Sequence, residues 1–185
     1  MSQIQLLYTK VRNVKSPNRA NEGDAGLDFY VPILTGEDIR AVPQNMDQMH
    51  AGNLRFKYSD NDEICCVSLT PGGRVLIPSG IRVLIEPKDS MLMAANKSGV
   101  ATKTGLLYTA EIIDSPYTGE MHIGIFNSSP QKQTISLTEG KKIMQFIHVP
   151  IILSNPVEIP NDLYEAKAKD WGSRGSNGFG SSDNK

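Results

Sequence analysis

Cysteine is almost missing from this chain of 185 residues: there are two, Cys65 and Cys66, side by side. Neighbouring cysteines cannot build a disulfide framework, which predicts a reducing compartment. No second Cys or His pair stands at ligand spacing, so a structural zinc site is not expected. Histidine is also scarce, three in all, and His50 has no ligand-spaced neighbour. An excess of one charge is lacking too: 19 Lys and Arg against 20 Asp and Glu give a net charge of -1. That balance excludes a broad nucleic-acid footprint but leaves room for a local basic pocket. Long hydrophobic runs are missing. The longest apolar stretch, residues 143–153, is interrupted by Gln145, His148 and Pro150, and it falls short of the roughly 20 residues of a membrane helix. The first residues lack the basic-then-apolar pattern of a leader. Together these absences predict a cytoplasmic protein without membrane or nucleic-acid partners.

Helical periodicity is equally sparse, whereas short β-branched and aromatic segments abound. Residues 4–8, 74–77, 81–85, 121–126, 133–137 and 143–149 read as strands. Pro71-Gly-Gly, Pro78-Ser-Gly, Tyr117-Thr-Gly, Ser128-Ser-Pro and Glu139-Gly read as the turns between them. The pattern predicts an all-β sandwich, jelly roll or barrel. One short helical turn is expected from Ser98, as N-cap, to Gly105, as stop. Such a helix start, with Lys97 just ahead of it, suits an anion. Residues of about 35–68 carry no clear period and read as an insertion, either a surface loop or a partner contact, although residues 64–67 have strand character. Residues 161–170 form a mixed-charge connector to the tail. The expected organisation is a β domain over 1–160, followed by a connector and arm over 161–185.

Three places carry chemistry. Asp114 follows Ile112 and Ile113 and precedes a turn, so it can project from a strand end and orient a water; an Asx-type turn is the alternative. Tyr117 can lie under a flat ring or belong to the core. Asp28, in a strand of alternating pattern, can hold a metal-bound water or serve structurally. The last fifteen residues hold four glycines, four serines, Arg174 and Phe179. That composition suits either a flexible linker or a clamp with a forked cation and a stacking face.

In chain order, Ala25-Gly-Leu-Asp28-Phe, Asn96-Lys-Ser98-Gly99, Ile113-Asp114-Ser-Pro-Tyr117-Thr-Gly119-Glu, Gly140-Lys-Lys-Ile143-Met-Gln145 and Arg174-Gly-Ser-Asn-Gly-Phe179-Gly-Ser resemble the five motifs of the trimeric dUTPase family. The resemblance spans roughly residues 4–182 outside the insertion. It implies a jelly-roll-like β-barrel with a flexible C-terminal arm, assembled as a homotrimer with sites at subunit interfaces. The implied reaction is hydrolysis of dUTP to dUMP and pyrophosphate with Mg²⁺, limiting uracil in DNA and supplying dUMP for dTMP synthesis. Asp114 would activate the water attacking the α-phosphorus, and Tyr117 would pack against the deoxyribose. Main chain around Ile112 and Ile113 would read the uracil edge. Lys97, Ser98, Gly99 and Gln145 would hold the phosphates, and Asp28 would order metal-bound waters. Arg174 would clamp the γ-phosphate, with Phe179, Gly180 and Ser181 closing over the substrate from a neighbouring subunit.

This sequence departs from the family pattern at two positions. Lys97 stands where arginine is usual, which replaces a bidentate fork by a point charge. Glu111 stands where glycine is usual, ahead of the Ile-Asp pair. Two other readings compete. A nucleotide-switched regulatory protein would use the same scaffold for partner binding. A dCTP deaminase would need a catalytic glutamate three residues before Asn127, where this chain has Gly124.

Overall fold

The computed structural model describes residues 5–35, 38, 54–137 and 140–171. They contain eleven strands and two helices in three antiparallel sheets. β1 (Leu6–Lys10), β5 (Arg74–Ile85), β9 (Glu120–Asn127) and β7 (Leu106–Tyr108) form the first sheet, in the order β1-β5-β9-β7. β10 (Gln133–Ser136), β4 (Ile64–Leu69) and β3 (Leu54–Tyr58) form the second. β2 (Gly26–Tyr30), β11 (Lys142–Pro150), β6 (Ser90–Ala95) and β8 (Ile112–Asp114) form the third, in that order. The architecture is the expected all-β, jelly-roll-like one. No helix among the described residues is long and apolar enough to cross a membrane.

Alternation explains the strands. In β9, Met121, Ile123 and Ile125 are buried while His122 and Phe126 are only partly so, and in β5 Ile81, Val83 and Ile85 point inward while Arg82 and Leu84 are exposed. This period of two is what a half-buried sheet demands. Phe29 and Phe146, both fully buried, meet edge-on with centroids 4.8 Å apart and lock β2 to β11. Buried Asn127 is satisfied: its amide donates to the carbonyls of Leu69, Thr70 and Gln131.

Pro78-Ser-Gly80, expected as a turn, is a bulge inside the twelve-residue β5. Four residue steps of β5, from Pro78 to Arg82, pass against two of β9. Gly80 takes φ +73°, and a β-carbon there would lie 2.9 Å from Val14, so glycine makes the kink possible. Residues 64–68, assigned from sequence to the insertion, belong to a core strand. Ile64, Val67 and Leu69 are almost fully buried, and β4 pairs with both β10 and β3. Most of the remaining insertion, His50 included, lies outside the described residues.

The helical turn is α1 (Ser98–Thr104), and Gly105 ends it at φ 68°. Lys97, not Ser98, is its N-cap, and the N–H groups of Val100 and Ala101 both bond the Lys97 carbonyl. The chain divides into two compact units, Met1–Ile152 and Leu153–Lys185. In the second, the connector is a helix, α2 (Asn161–Trp171), with no buried residue.

Candidate active site

Most of the residues singled out on sequence gather in two groups, at different ends of the third sheet. The first group surrounds Asp28. This carboxylate is almost fully buried, and both its oxygens are used: Oδ1 pairs with the ammonium of Lys97, and Oδ2 with that of Lys142 at 2.8 Å. Burial alone would raise the Asp28 pKa, but hydrogen bonds from Lys142 and Lys97 outweigh it and hold the carboxyl below its usual range. The same pairing raises the Lys142 pKa. Asp28 is fixed by an isolated bridge, its N–H donating to the Asn18 carbonyl at 2.8 Å. Lys15 and Lys142 lie 4.8 and 5.8 Å from the centroid of the Tyr30 ring, so the aromatic face steadies further positive charge.

Gln145 sits opposite Asp28 on β11. Its amide nitrogen donates to the Asn96 carbonyl at 3.1 Å, and its side chain lies so close over Gly26 that a β-carbon there would meet Oε1 at 2.4 Å. The glycine of the first motif thus leaves space that the glutamine of the fourth fills. Asn96 Oδ1 accepts from the Tyr108 N–H at 3.1 Å, tying β7 to the cluster. The Tyr108 hydroxyl is buried without a hydrogen-bond partner among the described residues, and burial raises its pKa above the ordinary value. Ser98 and Gly99 are exposed at the start of α1. Their N–H groups precede the first intrahelical donors, and a β-carbon on Gly99 would meet nothing within 4 Å.

The second group is the turn after β8. Asp114 is exposed, and no hydrogen bond or ion pair among the described residues engages its carboxylate. The Asx-type alternative is thus not what forms. The turn closes through main chain instead, Tyr117 N–H to the Asp114 carbonyl at 3.0 Å. Ser115 Oγ donates to the Lys88 carbonyl at 2.7 Å, and Arg82 Nε to the Thr118 carbonyl at 2.7 Å. Tyr117 is 42% exposed, not core. Its hydroxyl donates to the Glu120 carbonyl at 2.8 Å, and its ring covers Gly119, where a β-carbon would meet Oη at 2.6 Å. Ile113 packs on the core, whereas Ile112 is 58% exposed. The Glu111 side chain is also exposed, while its carbonyl accepts from Ala94 N–H at 2.6 Å.

Glu120 anchors this turn. Its carboxylate takes Arg12 Nε at 2.7 Å, a second Arg12 nitrogen at 3.1 Å, and the Gly80 N–H at 2.7 Å. The second contact of Arg12 is Asp38. Sequence reasoning missed Arg12, Glu120, Asn96 and Lys142 as site-building residues. Asn96, Glu120 and Lys142 stood within the five motifs without a role assigned to them; Arg12 becomes visible only through contacts between distant segments. Arg174, Phe179, Gly180 and Ser181 lie outside the described residues.

The two groups are far apart. Asp114 pairs with Met91, and Asp28 with Gln145, which pairs with Ala95. The offset is four residues along β6, about 13 Å, and three strand spacings across, about 14 Å, so the two carboxylates stand on the order of 20 Å apart.

Magnesium has no protein cage here: among the described residues, no three His, Cys, Asp or Glu side chains cluster for a metal. Asp28 does not fit as an anchor for a dication either, since two ammonium groups already occupy it.

A jelly-roll-like β protein with a buried-carboxylate lysine cluster and a free aspartate on a braced turn defines the class. A profile of the dUTPase family matches residues 65–183, and the chain belongs to that family. The deoxyuridine 5'-triphosphate nucleotidohydrolase of Legionella pneumophila (strain Paris) is 27% identical over 183 residues, covering 97% of this chain and 95% of the relative. That of Nocardia farcinica is 32% identical over 168 residues, covering 90% and 77%. Among solved structures, a dUTPase of Staphylococcus bacteriophage 80alpha bound to dUpNHpp superposes with a TM-score of 0.67 at 20% identity, covering 96% and 98%. A mutant dUTPase from phage phi11 of S. aureus, whose structure concerns a structural Mg(II) ion, gives a TM-score of 0.59 at 20% identity, covering 84% and 96%.

Proposed function

We propose that this protein hydrolyses dUTP to dUMP and pyrophosphate, with water oriented by Asp114 attacking the α-phosphorus. The observation that carries the reading is the unpaired Asp114 carboxylate on a turn braced from three sides, by Ser115, Arg82 and Glu120. Phosphoryl chemistry asks for position and charge neutralisation more than for covalent steps. A carboxylate held at a fixed place and free of other partners meets the first need. The lysine cluster with Ser98 and Gly99 meets the second, their ammonium and N–H groups suiting the phosphates. Tyr117, half exposed beside Asp114, offers its ring to the deoxyribose. Main chain around Ile112 and Ile113 is assigned to the uracil edge, where a wrong base leaves buried polar groups unpaired. Magnesium supplies charge neutralisation when bound, and it favours substrate phosphates and water over protein cages.

The separation of the two groups favours sites shared between copies, and the number of copies, three, is what the family resemblance implies. A separation on the order of 20 Å is more than one triphosphate group reaches, which favours Asp114 of one copy working with the lysine cluster of another. The arm then completes the site from a neighbouring subunit, Arg174 on the γ-phosphate and Phe179, Gly180 and Ser181 over the substrate. The product would feed dTMP synthesis and keep uracil out of DNA. A deaminase is disfavoured: the position has Gly124 instead of an acid, and a β-carbon there would meet Thr109 Oγ1 at 2.4 Å unless that side chain moved. The insertion remains a candidate surface for a protein partner.

The test is pyrophosphate release from dUTP with Mg²⁺, compared with dCTP, dTTP and UTP. Selective turnover of dUTP is expected. Ammonia release from dCTP, or tight nucleotide binding without turnover, overturns the proposal, the latter in favour of a regulatory role.

A further inference from the structure

We infer that Asp28 is the counterion that positions Lys97 and Lys142 for an incoming polyphosphate, and not an organiser of metal-bound water. The inference rests on the phosphate role assigned above to this cluster. Its basis is the layering of the three side chains. The Asp28 carboxylate is 4% exposed, while Lys97 is 25% and Lys142 37% exposed. A buried anion thus holds two cations that each reach toward the surface, and each carboxylate oxygen serves one of them. The three charges sum to one positive unit, presented outward.

The lysines come from unrelated places, the N-cap of α1 and the first residue of β11. Left alone, two ammonium groups this close would repel and swing into solvent. Asp28 removes that freedom before any ligand arrives, which lowers the cost of ordering them on binding. A dication approaching Asp28 would meet both ammonium groups first. The carboxylate itself cannot retreat, because β2 is pinned on one side by Asn18 and on the other by β11. Lysine at position 97 is the residue that makes this arrangement specific to the chain, since a compact ammonium can sit end-on at one oxygen where a guanidinium would spread over both.

The experiment uses the full chain, as wild type, Asp28→Asn, Lys142→Met and the double variant, with thermal melts confirming that each folds. Calorimetry measures binding of inorganic tripolyphosphate in EDTA, and steady-state assays give KM for dUTP and the Mg²⁺ concentration for half-maximal rate. For Asp28→Asn, metal-free tripolyphosphate binding should weaken about tenfold and KM rise in proportion, with the Mg²⁺ half-saturation unchanged. In the Lys142→Met background the same substitution should cost clearly less. Unchanged tripolyphosphate binding together with a raised Mg²⁺ requirement overturns the inference, as does an undiminished loss in the double variant. Wild type that binds tripolyphosphate as described but does not hydrolyse dUTP overturns the proposed reaction and leaves the positioning role standing.

Discussion

At the scale of single residues, the two aspartates of the site are opposites. Asp28 is buried and doubly paired; Asp114 is exposed and unpaired. A carboxylate meant to take a proton from water needs free lone pairs, and one meant to hold cations needs them filled. Asp114→Asn keeps size and polarity but removes the basic oxygen. It should lower kcat by about 10²- to 10⁴-fold while leaving KM for dUTP within a few fold, as read from initial rates of pyrophosphate release; an equal loss of binding would make Asp114 structural. Asp28 makes a prediction in pH. Its folded pKa lies below the ordinary value of about 4, so its pairing contributes full stability above that pH and loses it as pH falls through the folded value. Urea midpoints of wild type should therefore drop on acidification below about pH 4, and those of Asp28→Asn should drop less, so that the gap between them closes. Both aspartates were legible in the sequence as motif residues. Their opposite states were not, because Lys97 and Lys142 stand 69 and 114 positions from Asp28 and only the fold brings them together.

At the scale of elements, the turn that carries Asp114 is anchored in part by a distant arginine. Arg12 reaches Glu120 with two nitrogens, and Glu120 also accepts from Gly80 in the β5 bulge. The contact with Glu120, together with Asp38, raises the Arg12 pKa. Glu120→Ala leaves a partly buried guanidinium with Asp38 alone and a bulge N–H without its acceptor. It should cost about 1–3 kcal/mol in chemical denaturation, and it should reduce kcat more than KM, because the turn carrying Asp114 loses its far anchor. A stability loss with kcat unchanged would confine Glu120 to the scaffold. The elements themselves show what sequence periodicity can reach. β9 and β11 were plain, each a run of branched and aromatic residues. β6 was not, because Ser90-Met-Leu-Met-Ala-Ala95 has no β-branched residue, and it becomes a strand through pairing with β11 on one side and β8 on the other. Pro78-Ser-Gly80 read as a turn for sound local reasons, and tertiary pairing with β9 turned it into a bulge.

At the scale of the whole molecule, the acidic turn and the lysine cluster lie at separate ends of one sheet, and the proposed reaction would need them brought together from different copies. On the proposed shared site, activity would depend on association: dilution below the assembly concentration should abolish turnover while the chain stays folded, a behaviour a self-contained site would not show. The insertion bears on this scale as well. Its last residues form β4, and β3 covers the edge of β4, so a deletion that spares the fold has to stop before Leu54. The arm is where motif and physics speak most directly to each other, although it lies outside the described residues. Arg174, Phe179 and the glycines between and around them combine a forked cation, a stacking face and freedom to close. Ending the chain at Trp171 removes all of these and no strand of the sheets. The truncated protein should keep its melting temperature and its oligomeric mass by light scattering. Its kcat/KM for dUTP should fall by about 10²-fold or more, the scale expected when groups that close over and position a substrate are lost. Unchanged turnover would return the arm to the status of a linker, whereas a loss of oligomeric mass would mean that it holds the subunits together and not the nucleotide.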